Sequence, residues 1–207
     1  MSARVETPPR AWQRMLSGRR LDLIDPSPLD IEISDIAHGL ARVARWNGQT
    51  SGAHAFSVAQ HSLAVETLFG LMNPGATTQE RITALLHDAP EYVIGDMISP
   101  FKAMVGGAYK QVEKRLQASI HIRFSLPPEP KAALTAKIKQ ADTVCAYFEA
   151  TLLAGFADKE AEQLFGRPRG FHADLLDWNP WPAVEAQAQF LARFEELEVL
   201  ALNNKEL

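Results

Sequence analysis

Cysteine is nearly absent from this chain, with Cys145 as its single example. One cysteine cannot form an internal disulfide, so the sequence predicts a protein of a reducing compartment, the cytoplasm. Cys145 lies in the apolar stretch VCAYF, where a buried thiol usually behaves as a small hydrophobe and not as a nucleophile. The sequence therefore disfavours both a disulfide-stabilised fold and thiol catalysis.

Long apolar runs and an excess of basic residues are also missing. No segment reaches the length of about 18 apolar residues that a membrane-spanning helix needs, and residues 1–20 lack the apolar core of a secretory leader. The net charge is −4, from 21 Lys and Arg against 25 Asp and Glu. We expect no membrane and no nucleic-acid partner, and a small anionic ligand would need a local cation.

What the sequence does contain is helical periodicity. With 207 residues, of which 46% are hydrophobic, the chain suits one globular domain. We predict an all-α domain over 1–207, with its core at about 30–160 and a C-terminal loop and helix (166–202) packed on that core. Alternation in residues 11–24 predicts a short β-hairpin around Ser17-Gly18. The predicted helices cover about 34–47, 57–71, 77–90, 100–124, 131–156, 158–165 and 182–202.

His87 and Asp88, in LLHDAPE at 85–91, are the strongest local signal for chemistry. They follow an apolar helical stripe, so they would sit beside the core, where a divalent ion would offset the cost of buried polar groups. His61 and Asp142, on two other predicted helices, are candidates for further ligands. Such a mixture of nitrogen and oxygen donors suits Mn, Co, Fe, Zn, Mg or Ni. A buried histidine is more often a hydrogen-bonded core residue, so spacing alone leaves this site a hypothesis.

The ordered set of His61, His87, Asp88 and Asp142 resembles the ligands of the HD-domain metal-dependent phosphohydrolases. The resemblance to the bacterial 5'-deoxynucleotidase branch of that superfamily covers about residues 20–160. Five segments carry it: ARWNG (44–48), FSVAQHS (56–62), LLHDAPEYVIGDMISPFK (85–102), YKQVEKRL (109–116) and KQADTVCAYFEA (139–150). The resemblance implies a compact helical bundle that holds one divalent ion on those four side chains.

The resemblance also implies residues that contact the substrate. Arg45 matches a phosphate-binding arginine, and Trp46 a tryptophan that disfavours a 2'-hydroxyl by crowding. The segment that borders the substrate corresponds to Asp96, Met97, Ile98 and Ser99. The chain departs from the branch at Gln60, where a glutamate is common, and its hairpin and the 166–182 loop look more like prophage-associated relatives. These departures leave the substrate preference open.

Glu91 and Asp96 are the candidates for proton transfer during hydrolysis, with the assignment of acid and base left open. His87 and Glu91 are four residues apart, so we expect them to share a helix face if the helix continues past Pro90.

The resulting hypothesis is removal of the 5'-phosphate from nucleoside monophosphates, especially deoxyribonucleotides, by a metal-activated water. One alternative is hydrolysis of another nucleotide, such as an alarmone, a cyclic nucleotide or a nucleoside triphosphate. A second alternative is a nucleotide sensor without catalysis, although such a protein should have lost a ligand or an acid. The last helix could close the core or form a homodimer face, and closure is the stronger expectation.

Overall fold

The computed structural model describes residues 10–98, Met104 and 107–203. Within these ranges the predicted all-α class with a short N-terminal hairpin is confirmed. The strands are β1 (Trp12–Arg14) and β2 (Arg20–Asp22). The helices are α1 (Ile33–Leu40), α2 (Val58–Met72), α3 (Thr78–Leu85), α4 (Glu91–Ile94), α5 (Gly107–Arg123), α6 (Ala132–Leu152), α7 (Asp158–Phe165) and α8 (Ala183–Asn203). The predicted start of the fourth long helix, at Pro100, lies outside the described residues.

The hairpin is antiparallel, with Trp12 opposite Asp22. Gly18 has a φ of +90°, a value that favours glycine, at the turn predicted from the sequence. The backbone N–H and the hydroxyl of Ser17 donate to the two oxygens of Asp35, at 2.9 and 2.5 Å. These bonds fasten the hairpin to α1.

Helix α2 lies between two hydrophobic clusters. Val58 and Ala59 belong to a cluster shared with α1, α3, α5 and α8. Val65 and Phe69 belong to a second cluster, shared with α6, α7 and the loop around Trp178. Because α2 serves both clusters, side chains near its N-terminus are held from two sides. None of the described helices is both long and apolar enough to cross a membrane.

Local capping explains where α2 and α3 begin. The Ser57 hydroxyl accepts a hydrogen bond from the Gln60 backbone N–H at the start of α2. Thr77 and Glu80 form a reciprocal capping box at the start of α3. Each cap satisfies backbone N–H groups that have no partner inside the helix.

The predicted end of the first helix, near Asn47, is wrong. Helix α1 stops at Leu40. A separate 3₁₀ turn over Arg45–Gly48 comes after a short connecting segment. Ala44 pairs with Ser57 as an isolated bridge, and the Arg45 N–H donates to the Phe56 carbonyl at 2.8 Å. The backbone here is therefore hydrogen-bonded to the segment before α2, which local periodicity does not reveal.

The predicted third helix, at about 77–90, is too long, and the condition that it continue past Pro90 to Glu91 is not met. Helix α3 stops at Leu85, residues 86–90 form a turn, and α4 begins at Glu91. Pro90 lacks a backbone N–H and cannot continue the α-helical bonding pattern. Bonds between residues three apart replace that pattern, including the Glu91 N–H to the Asp88 carbonyl at 3.0 Å.

Helix α8 buries Ala186, Phe190, Phe194 and Leu197, and it packs on α1, α2 and α3. Arg193 on α8 and Arg81 on α3 both bind Glu66 of α2. Helix α8 thus covers the first cluster in this structure, while the single-domain organisation stays a prediction.

Candidate metal and nucleotide site

The structure brings together all four residues proposed as metal ligands. His61 comes from α2, His87 and Asp88 from the α3–α4 turn, and Asp142 from α6. His61 Nε2 lies 3.5 Å from Asp88 Oδ2 and 3.4 Å from Asp142 Oδ1. His87 Nε2 lies 3.1 Å from the same Asp88 oxygen. The two imidazole centroids are 5.3 Å apart.

The turn after α3 orients His87. Its Nδ1 lies 2.9 Å from the Ala84 carbonyl, which can only accept, so we assign the ring proton to Nδ1. The lone pair of His87 is then on Nε2, which faces Asp88. Because α3 ends before His87, the side chains of the adjacent residues His87 and Asp88 can approach the same position.

A carboxylate orients His61 in the same way. Its Nδ1 lies 2.5 Å from Glu149 Oε1, so the Nδ1–H donates to Glu149 and Nε2 is left to face Asp88 and Asp142. Among the described residues, neither His61 Nε2 nor His87 Nε2 has a hydrogen-bond partner, although both atoms are buried. Unsatisfied buried polar atoms are costly and call for an explanation. A cation between these nitrogens and the two aspartates would satisfy them.

The electrostatics of the four residues favour a cation. Burial raises the pKa of Asp88, but His87 and His61 outweigh burial and hold this pKa well below its usual range. Burial likewise raises the pKa of Asp142, and the adjacent His61 imidazole more than reverses that effect. Both aspartates are therefore ionised, as metal ligands must be.

A second group of potential ligands, formed by His61, Cys145 and Glu149, is better explained as a hydrogen-bond cluster. Burial raises the pKa of the Cys145 thiol to about 12, and Glu149 adds to that effect. The thiol therefore stays protonated, and it donates to Glu149 Oε1 at 3.4 Å. Both groups have their ligand atoms within 4.8 Å of one another, but the group of His61, His87 and Asp88 fits an ion better because its two Nε2 atoms are buried without a hydrogen-bond partner among the described residues.

Glu149 is the residue of this site that the sequence analysis missed. It is fully buried on α6 and contacts His61, Arg45 and Trp46. Burial raises its pKa, but Arg45 and His61 lower it to about 2. The sequence did carry one signal for Glu149: it is a carboxylate inside the apolar run CAYFEATLL, two helical turns after Asp142.

Arg45 and Trp46 lie beside the four candidate ligands. The Arg45 Nη1 donates to Asp96 Oδ2 at 3.0 Å, and its Nε donates to Glu149 Oε2 at 3.3 Å. These contacts use two of the five guanidinium N–H donors. Burial lowers the pKa of Arg45, but Glu149 and then Asp96 raise it well above its usual value. Arg45 is thus a fixed positive charge with donors left for a ligand.

Trp46 has an unusual backbone conformation, with a φ of +56°. Left-handed backbone is uncommon for a bulky residue and concentrates at functional sites. The indole Nε1–H donates to Glu149 Oε2 at 2.8 Å. The ring lies 5.5 Å from the Phe156 ring and 6.1 Å from the Phe165 ring.

A cavity of about 470 Å³ opens next to these residues. This volume is within the usual range for small-molecule sites. The polar lining residues are Arg45, Asp88, Asp96, Lys139, Asp142 and Thr143. The apolar lining residues are Trp46, Met97, Ile98, Ala146, Phe156, Leu164 and Phe165. This mixed lining suits a ligand with a charged group and a flat or apolar body.

Not all of the described residues proposed for substrate binding and proton transfer line the cavity. Asp96, Met97 and Ile98 line the cavity, whereas Ser99 lies outside the described residues. Glu91 is buried at the start of α4 and is not among the described residues that line this cavity. Sequence analysis also missed Lys139, whose Nζ lies 2.7 Å from Asp142 Oδ2.

Negative charge predominates around the cavity. Four carboxylates, those of Asp88, Asp96, Asp142 and Glu149, face the cations Arg45 and Lys139. An anionic ligand would be repelled by this set unless a divalent cation offset the excess.

An all-helical fold with a two-histidine, two-aspartate cluster beside an amphipathic cavity is typical of metal-dependent hydrolases. The family model described as 5'-deoxynucleotidase YfbR-like matches residues 35–162. The chain belongs to this metal-dependent family, and the resemblance inferred from the sequence is confirmed.

Three relatives extend the comparison. An uncharacterized protein of Rhodobacter capsulatus is 56% identical over 188 residues, which cover 91% of this chain and 96% of that protein. The uncharacterized protein YfdR of Escherichia coli is 29% identical over 171 residues, which cover 83% of this chain and 86% of YfdR. A 5'-deoxynucleotidase of Erwinia tasmaniensis is 31% identical over 112 residues, covering 46% of this chain and 57% of that enzyme. The family and this enzyme support nucleotide phosphohydrolase activity.

Proposed function

We propose that the protein removes the 5'-phosphate from nucleoside monophosphates and prefers deoxyribonucleotides. The ion would be held by His61, His87, Asp88 and Asp142. The observation that carries the proposal is the pair of buried Nε2 atoms, which lack a hydrogen-bond partner within the described part of the chain and face Asp88. Family membership makes the nucleotide the natural ligand of the adjacent cavity.

The ligand histidines are held in place before any ion binds. Glu149 fixes His61 and the Ala84 carbonyl fixes His87. A divalent ion at this site supplies Lewis-acid polarisation of a phosphoryl oxygen and a lowered pKa for water. Because protons compete with the ion for the imidazole nitrogens, we expect metal affinity to fall as the pH is lowered.

Arg45 is our candidate for holding the phosphate. Its bonds to Asp96 and Glu149 fix the guanidinium plane, and the remaining donors can reach phosphate oxygens in the cavity. Lys139 would add a second, more mobile positive charge, because its side chain is largely exposed.

Hydrolysis requires that a water attacks phosphorus, that the bond between phosphorus and O5' breaks, and that O5' receives a proton. Asp96 is the stronger candidate for the proton transfer, because it lines the cavity. Glu91 remains the alternative, three residues after Asp88 and buried. Replacing each by its amide and comparing the pH dependence of kcat would separate the two.

Trp46 and the two phenylalanines would contact the nucleoside. The indole is fixed by Glu149 and packs against Phe156 and Phe165. In this arrangement a rigid ring edge beside the sugar would disfavour a 2'-hydroxyl by crowding.

Hydrolysis of a nucleotide panel, measured both by phosphate release and by chromatography of the nucleotide products, tests the proposal. The panel contains deoxyribonucleoside and ribonucleoside monophosphates, a cyclic nucleotide, a triphosphate and an alarmone, each with several divalent ions and with EDTA. We expect the fastest release from deoxyribonucleoside monophosphates and none with EDTA.

His87→Gln should remove this activity, while His172→Gln, at an exposed histidine, serves as the matched control. Activity of the wild type that survives EDTA, or full activity of H87Q, would contradict the proposal. Faster release from another member of the panel would reassign the substrate.

A further inference from the structure

Glu149 contacts both the proposed metal site and the proposed nucleotide site. Its Oε1 accepts from His61 Nδ1 at 2.5 Å. Its Oε2 accepts from Trp46 Nε1 at 2.8 Å and from Arg45 Nε at 3.3 Å. One oxygen therefore faces a metal ligand, and the other faces the residues proposed to hold the nucleotide.

The carboxylate is too constrained to serve the two groups independently. Glu149 is fully buried, and a carboxylate is planar, so a rotation that improves one set of bonds disturbs the other. Its contacts join three separate parts of the chain: α6, α2 and the turn over Arg45–Gly48. A shift of His61 would therefore be transmitted to Trp46 through a single side chain.

The conformation of Trp46 adds an independent observation. Trp46 and Asn47 both have left-handed backbone, with φ values of +56° and +51°. Such a conformation persists where surrounding contacts hold it. The indole bond to Glu149 is one of those contacts, so the position of Glu149 helps to set the position of the ring.

We propose that Glu149 is a positioning residue that couples ion binding at His61 to nucleotide selection by Arg45 and Trp46. The nucleotide half of this statement rests on the proposed function, and the metal half does not. A structural role alone would require only that Glu149 fill its space and satisfy Arg45. The coupling requires that changes at the ion reach Trp46.

Indole N–H resonances provide a direct readout of that coupling. The protein labelled with ¹⁵N-tryptophan is titrated with Zn²⁺ or Mg²⁺, and Trp46→Phe identifies the Trp46 resonance. We expect the ion to shift this resonance. Trp178 and Trp181, whose indoles donate to the Ala173 carbonyl and to Asp177, are internal references that should not move.

Glu149→Gln is the decisive variant, because it keeps the shape and removes the charge. We expect metal affinity to fall by about 10- to 100-fold, as is usual when the partner of a ligand histidine is replaced. At saturating metal the shift of the Trp46 resonance should be largely lost. Wild-type metal affinity, or an unchanged Trp46 shift in this variant, would overturn the proposal.

Glu66→Gln is the matched control. Glu66 is also a buried carboxylate with two cationic neighbours, but it lies away from the cavity. Its replacement should lower the melting temperature and leave metal affinity and the Trp46 shift unchanged. Equal losses of metal affinity in the two variants would show a general packing effect and contradict the coupling.

Glu149→Asp keeps the test decisive if Glu149→Gln does not fold. The shorter carboxylate retains the charge but cannot reach His61 and Trp46 together. We expect a reduced metal affinity and a reduced Trp46 shift in the same variant. A folded variant in which only one of the two quantities changes would overturn the coupling.

Nucleotide selection supplies the last measurement. In Glu149→Gln the ratio of kcat/KM for deoxyribonucleoside over ribonucleoside monophosphates should move towards one at saturating metal, and an unchanged ratio would contradict the coupling. If the wild type hydrolyses no nucleotide, the proposed function fails, while the metal affinity and the indole shifts still decide the metal half.

Discussion

Glu149 and Glu66 are two buried carboxylates with cationic neighbours in very different surroundings. Glu66 accepts from Arg193 Nε at 2.9 Å and Nη2 at 3.0 Å, and it lies 2.6 Å from Arg81 Nε. Glu149 is bound by Arg45, Trp46 and His61. The two arginines that bind Glu66 are partly exposed to solvent. The His61 ring that binds Glu149 instead places its Nε2 next to Asp88 and Asp142 at the cavity.

The difference shows what separates a structural ion pair from a candidate site. Burial and shifted ionisation occur in structural networks as well as in active sites. What distinguishes the Glu149 side is a buried nitrogen, His61 Nε2, that faces the carboxylates of Asp88 and Asp142 next to a cavity. The predictions below test that distinction.

The largest expected effect is the loss of activity when a proposed metal ligand is replaced. Asp142→Asn removes a charged ligand, so kcat/KM for a deoxyribonucleoside monophosphate should fall by more than about 100-fold, the upper range for residues that only support a ligand. Asp174→Asn, at an exposed position, is the control. A fall of less than tenfold in the Asp142 variant would remove Asp142 from the ligand set.

Glu66→Ala should lower the stability of the fold and leave the kinetics of hydrolysis unchanged. Breaking a buried ion pair costs about 3 kcal/mol, and we take this lower value because the two arginines are partly exposed. For a chain of this size the melting temperature should fall by roughly 10 °C. Thermal unfolding and steady-state kinetics below the transition check both parts, and a large change in KM would contradict the separation of the two regions.

A smaller effect is expected from Arg45→Lys. Lysine keeps the charge but cannot bind Asp96 and Glu149 with one planar group. Loss of a charge-assisted hydrogen bond to phosphate should raise KM by about tenfold or more, and loss of the contact with Glu149 should lower metal affinity by a smaller factor. Measuring KM and metal affinity together distinguishes this outcome from damage to the metal site, in which metal affinity would fall first.

The smallest expected effect concerns Cys145, which touches Glu149 and has no counterpart beside Glu66. Because burial, and then Glu149, raise the pKa of Cys145 to about 12, the nucleophilic thiolate is scarce at neutral pH. We expect no labelling by a thiol reagent at pH 8 in the native protein and complete labelling in denaturant. Rapid labelling of the native protein would show that the cluster around Glu149 opens.

Most of the long helices, and the beginnings of α2 and α3, followed from periodicity and capping signals, because these act within a few residues. The ends of α1 and α3 did not, since they depend on the pairing of Ala44 with Ser57 and on the break at Pro90. Residues for the proposed site could be chosen from motifs, and the apolar run around Glu149 marks an unusual carboxylate, but the contacts that give Glu149 its role appear only when α6 lies against α2. Sequence spacing likewise gave no sign of the left-handed backbone at Trp46.

The central claim is that His61, His87, Asp88 and Asp142 hold one ion that hydrolysis requires. Its most direct test is to titrate the metal-stripped protein with Mn²⁺ or Co²⁺ while measuring both bound metal and phosphate release from a deoxyribonucleoside monophosphate. We predict that both quantities saturate together at about one ion per chain, and that folded His87→Gln shows neither. Phosphate release without bound metal, or full binding and release in the His87 variant, would contradict the account.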